Sequence, residues 1–214
     1  MHICRTIGRP AAHGIPQPAV PGRLPPRLPG SSKGGIGIKI LCFGDSNTYG
    51  YDPRSFFGSR YPAEIRWTDR LARETGHEVI NGGMNGRTIP AGSFVSLPPA
   101  DALVVMLGSN DLLCGLSARE TADRMETFLS AVCSAYRQVL LVAPPPMVRG
   151  EWVTEQRLLT ESGQLAPLYQ LLARRLSISF ADAAPWDVEL TFDGVHFSEA
   201  GHRTFASGIL PFFR

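Results

Sequence analysis

Five short strand-like runs recur along this chain, and the stretches between them step with helical periodicity. The runs are Ile38 to Phe43 (IKILCF), Glu78 to Asn81, Asp101 to Leu107 (DALVVML), Val139 to Ala143 and Ile178 to Ala181. Alternate side chains of a strand point to opposite faces, so a run that is apolar at successive positions must be covered on both sides. Between the third and fourth runs, Ala122, Met125, Leu129, Val132 and Tyr136 step by 3, 4, 3 and 4 residues, which places them on one helical face. Ser117 and Glu120 ahead of them have the spacing of a reciprocal helix cap. Leu165, Leu168, Leu172 and Leu176 mark a second amphipathic helix, and Pro62 to Glu74 a third, with Gly76 as its stop. A last helix starts at Ser198, weakened by Gly201, Gly208 and Pro211. Strands alternating with helices imply a parallel sheet with helices on both faces. The expected fold is therefore α/β: a flavodoxin-like three-layer sandwich on a five-stranded sheet of order 2-1-3-4-5.

Composition bears on what precedes that sheet. Residues 1–37 hold seven of the 18 prolines, and five basic residues (Arg5, Arg9, Arg23, Arg27, Lys33) with no acid. Such a segment lacks the apolar groups to offset ordering entropy and is expected to be a disordered extension, with residues 38–214 as the single domain. Removing its charges from the total of +2 leaves 16 basic against 19 acidic residues in the body. Nothing in that balance points to nucleic acid. No run approaches the roughly 18 apolar residues that span a membrane. Cys4, Cys42, Cys114 and Cys133 show neither CxxC nor paired spacing, so no metal or disulfide framework is expected, as suits a cytoplasmic protein.

The chemistry-bearing residues fall where the strands end. In an open parallel sheet, ligands bind outside the carboxyl ends of the strands. There the first strand runs into GDSNTYG, the second into NGGMNGRT, the third into GSND, and the fifth is followed by DGVHF. A serine hydroxyl becomes a nucleophile when a base lies within hydrogen-bond reach. His196 can be that base for Ser46, and Asp193, three residues earlier, can orient the imidazole and stabilise its protonated form. Taken singly, each has a plainer reading: Ser46 as a helix or turn cap, Gly83 and Gly86 as turn residues, Asn110 as a turn residue, His202 as packing. Asp45 and Asp111 read as structural acceptors, and Arg87 as the partner of a local carboxylate ahead of a contact to substrate. Tyr51 is the best candidate for a side chain touching substrate.

In order and approximate spacing, GDSN, NGGMNG, GSND and DGVH resemble the four blocks of the SGNH/GDSL hydrolases, over Ile38 to roughly His202. GDSNTYGYDP, RYPAEIRWTDRLA, NGRT, VAPPP and DGVHF look like the arylesterase/acyltransferase branch. The stretch between Arg87 and Asp101 is shorter than in that branch. The resemblance implies a serine esterase acting on small, short-chain acyl esters without a cofactor or metal, Ser46, Asp193 and His196 being catalytic. It further implies an oxyanion hole from the backbone N–H groups of Ser46 and Gly86 and the side-chain amide of Asn110. A thioesterase or carbohydrate deacetylase would use the same residues. The competing class is a non-catalytic flavodoxin-like ligand-binding domain. KGGIG precedes a strand instead of following one, and no GxxxxGK[ST] exists, so nucleotide binding has little support.

Overall fold

A computed structural model describes residues 37–55, 59–91 and 96–214. The expected extension therefore lies outside the described residues, apart from Gly37. Five strands form one sheet: β1 (Lys39–Gly44), β2 (Glu78–Gly83), β3 (Ala102–Met106), β4 (Gln138–Ala143) and β5 (Ser179–Asp182). Every pairing is parallel and the order is β2-β1-β3-β4-β5, as the alternation of elements predicted.

Strand pleating divides the core into two layers. Leu41, Phe43, Leu103, Val105 and Leu141 face helices α4 (Ala118–Val132) and α5 (Gln156–Leu176), packing on Met125, Phe128, Leu165, Tyr169 and Leu172. Ile40, Cys42, Val104, Met106 and Leu140 face α2 (Trp67–Thr75) and α6 (Glu199–Ile209), packing on Trp67, Leu71, Phe205 and Ile209. Two residues apart along a strand is the same face, and that spacing alone accounts for the sorting.

The helix ends follow local rules. Ser117 accepts from Glu120 N–H, and Glu120 accepts from Ser117 N–H at 2.8 Å, so the expected reciprocal cap opens α4. At the end of α2, Gly76 takes a left-handed conformation (φ 72°). The start of α2 differs from expectation by five residues. Residues 62–66 form a turn, and Arg66 is extended (ψ 133°), so the helix begins at Trp67. That break sends Trp67 into the core, 4.9 Å from the ring of Phe205, with its indole N–H donating to the carbonyl of Asn47 at 3.0 Å. Two helices lie beyond the periodicity argument: α1 (Ser46–Tyr49) directly after β1, and α3 (Ser109–Leu113) directly after β3. Among the described residues no helix is long and apolar enough to cross a membrane.

Candidate active site

Asp45 sets the geometry of the serine. Its carboxylate accepts the N–H of Asn47 at 3.0 Å and so caps α1, which Gly50 ends one turn later. Ser46 is the first residue of that turn, where a helix leaves its N–H groups without internal partners. Burial pushes the Asp45 carboxyl up to about 6, against the lowering effect of the Asn47 N–H and the nearby His196 and Arg87.

The loop before α6 brings the other two residues. Asp193 Oδ1 accepts the backbone N–H groups of Val195 (2.9 Å) and His196 (3.0 Å), folding the DGVH turn around its own carboxylate. Its Oδ2 lies 2.7 Å from His196 Nδ1, and His196 Nε2 lies 3.0 Å from Ser46 Oγ. All three side chains are buried. Burial alone would raise the Asp193 carboxyl, but the hydrogen bonds from His196 and Val195 outweigh it and hold the group down at about 2. An ionised carboxylate only accepts, so Nδ1 carries the imidazole proton and Nε2 offers its lone pair to the serine hydroxyl. A serine and an imidazole so arranged can exchange a proton over one hydrogen bond.

The segments that carry the serine and the histidine are bolted together by Asn47, a residue the sequence reading passed over. Its side-chain amide donates to Val195 O at 3.1 Å, and its Oδ1 accepts Phe197 N–H at 2.8 Å, so it brackets His196 from both sides in sequence. Two aromatic rings bracket the imidazole in space. Tyr51 lies 4.8 Å from it between ring centres. Trp152 meets it edge-on at 5.0 Å while half of its own surface stays exposed. Nothing in the local sequence marked Trp152. Its position depends on a strap between β4 and α5, whose Val148, Glu151 and Trp152 N–H groups bond to Gly194, Phe192 and Asp193 carbonyls. Gly150 allows that contact, since a Cβ there would meet the backbone of Asp193 and Gly194 at 2.5 Å.

The remaining predicted residues lie on neighbouring strand ends. Gly44 pairs in register with Gly83 and with Met106, which sets the turn after β2 and the start of α3 on either side of Ser46. Gly86 is left-handed (φ 70°), a conformation that costs glycine little, and open space surrounds it. Asn110 donates one amide N–H to the carbonyl of Arg87 at 3.1 Å. Asp111 accepts Ile89 N–H and Arg124, each at 3.0 Å, the structural role expected of it. Arg87 departs from expectation. Among the described residues it forms no ion pair, and it donates instead to the carbonyls of Gly44 (2.9 Å) and Gly82.

With this geometry in place, the comparisons decide the family. The model of the GDSL-like lipase/acylhydrolase family matches residues 42–204, from within β1 to within α6. The chain belongs to the GDSL-like lipase/acylhydrolase family. Its members' chemistry makes it a carboxylic ester hydrolase. Similar solved structures include a carbohydrate acetylesterase family member from Sinorhizobium meliloti, 28% identical with a TM-score of 0.69, covering 81% of this chain and 95% of that one. The aryl esterase of M. smegmatis is 27% identical with a TM-score of 0.68, covering 81% and 96%. A protein from Agrobacterium tumefaciens provisionally described as an arylesterase is 30% identical with a TM-score of 0.70, covering 81% and 96%. No curated protein matches significantly in sequence. The four sequence blocks sit at the carboxyl edge of the sheet, at the ends of β1, β2 and β3 and in the turn before α6.

Proposed function

We propose that this esterase cleaves short-chain acyl esters through an acyl-enzyme on Ser46. The observation that carries the reading is the continuous chain Ser46 Oγ to His196 Nε2 at 3.0 Å and His196 Nδ1 to Asp193 at 2.7 Å. His196 takes the hydroxyl proton as Oγ attacks the ester carbonyl, then passes it to the departing alcohol oxygen. Water, deprotonated by the same imidazole, attacks the acyl carbon, and the proton returns to Ser46 as the carboxylic acid leaves. Asp193 stays ionised throughout, and its charge stabilises the imidazolium formed at each attack. The N–H groups of Ser46 and Gly86 and the free amide N–H of Asn110 are the donors to the tetrahedral oxyanion; losing one such donor costs about a hundred- to a thousand-fold in rate.

The short acyl preference draws on two similar structures, one named for aryl and one for carbohydrate acetyl esters. Tyr51 and Trp152 supply the aromatic walls on which the acyl or alcohol group would rest. A panel of aryl esters from acetyl to dodecanoyl, with an acetylated sugar and an acyl-CoA alongside, tests the reading. The highest kcat/KM is expected between acetyl and butyryl. Equal or higher values on dodecanoyl esters, or on the thioester, would overturn the assigned substrate class.

A further inference from the structure

Arg87 is a half-buried cation whose bonds reach Asn110 and the segments that carry the other two candidate oxyanion donors. Its guanidinium donates to Gly44 O, the carbonyl just before Asp45 and Ser46, and to Gly82 O at the end of β2. The same group lies over Phe43, its Cζ 4.1 Å from the ring centre, where a cation gains from the ring quadrupole. Its backbone N–H donates to Met84 O at 3.2 Å, closing the turn that holds Gly86 left-handed. Its carbonyl accepts the Asn110 amide at 3.1 Å. An amide group is planar and its two N–H bonds diverge by a fixed angle, so holding one on Arg87 O fixes the direction of the other.

We infer that Arg87 is the positioning residue of the oxyanion hole: its guanidinium locks the ends of β1 and β2 while its main chain aims Gly86 and Asn110. The inference rests on the oxyanion reading given above and adds to it the device that presets the donors. A second consequence follows from charge. Arg87 makes no contact ion pair among the described residues, and the nearby Asp45 carboxyl offsets its field only in part, so the remainder favours the negative charge that appears only in the transition state. Removing it should therefore lower kcat and leave KM nearly alone.

The test combines four variants on one acetyl aryl ester. Arg87→Met is expected to lose about a hundredfold in kcat, as for one lost donor, with KM changed less than threefold. Arg87→Ala should regain part of kcat on adding guanidinium chloride below denaturing concentrations, whereas Asn110→Ala should not. Because Arg87 acts in part through Asn110, the Arg87→Met/Asn110→Ala double variant should lose clearly less than the product of the two single losses. If Arg87→Met fails to fold, Arg87→Lys, which keeps the charge but ends one bond short of the nitrogen that donates to both carbonyls and has no planar group to lay over Phe43, is expected to lose kcat at unchanged KM. A rise confined to KM, fully additive losses, or no guanidinium recovery would overturn the inference. If Asn110→Ala costs kcat while the Arg87 variants do not, this inference alone falls; if Asn110→Ala keeps full kcat, the oxyanion reading falls first.

Discussion

At the scale of single residues, the proposed mechanism gives His196 and Asp193 separable duties. In it the imidazole moves the proton, while the carboxylate, 2.7 Å away and held down at about 2, fixes the tautomer and carries no proton itself. His196→Ala should abolish turnover at neutral pH as fully as loss of the nucleophile, since residues acting as one unit do not add. Asp193→Asn should cost up to about ten-thousand-fold. Its loss should be the smaller, because Tyr51 and Trp152 still hold the ring in place. Part of the activity should return at high pH. The pH–rate profiles of both variants on one short-chain ester check this; equal loss at every pH in a folded Asp193→Asn protein would contradict it. That Ser46, His196 and Asp193 meet was legible in the sequence because GDSN and DGVH each set the side chain next to its support. Asn47 and Trp152 were not, because their partners lie 148 and about 40 residues away and leave no local pattern. Arg87 misled for a related reason: the acceptors it found are backbone carbonyls, which no sequence letter displays.

At the scale of elements, the strands were legible and the short helices were not. A strand buried on both faces writes itself as an apolar run; α1 and α3, at four and five residues, are too short to show a period and are made of the site's own polar residues. The long helix α5 began nine residues before the leucine pattern that marked it, and carries Gly163 and Pro167 within its length. Pro167 removes one helical N–H, and Gly163 adds backbone freedom in the unfolded chain. A Cβ at Gly163 would meet nothing within 4 Å, and its backbone is not left-handed. Gly163→Ala should therefore stabilise the protein by about 0.5–1 kcal/mol, seen as a raised denaturant midpoint at unchanged slope and unchanged kcat/KM. A lowered midpoint would contradict the account of this helix.

At the scale of the whole molecule, buried ionisable groups set how stability follows pH. His202 on α6 is packed between the rings of Tyr61 and Phe197, and its Nδ1 has no hydrogen-bond partner. Burial, then the charges of Arg66 and Arg70, push it down to about 3, with Asp52 opposing. The unfolded chain takes up this proton below about 6.5 and the folded one does not, so its contribution is complete above that pH and is lost as pH falls toward 3. Asp45, raised to about 6, has the opposite sign: the folded state binds its proton first, and stability falls as pH rises from about 4 to 6. The two slopes offset each other in the wild type. His202→Phe should remove one, so that the variant, relative to wild type, gains about 1.4 kcal/mol for each pH unit below 6. Urea unfolding of both proteins at pH 7, 5 and 4 reads that difference, and a difference independent of pH would contradict it.

The central claim is that Ser46 is the one activated hydroxyl in this esterase, primed by His196 at 3.0 Å. Brief treatment with a fluorophosphonate, followed by intact-mass and peptide mapping, tests it most directly. The account predicts a single adduct on Ser46 at stoichiometric occupancy, lost in Ser46→Ala and slowed by orders of magnitude in His196→Ala. An adduct on another serine, or equal labelling without His196, would contradict it.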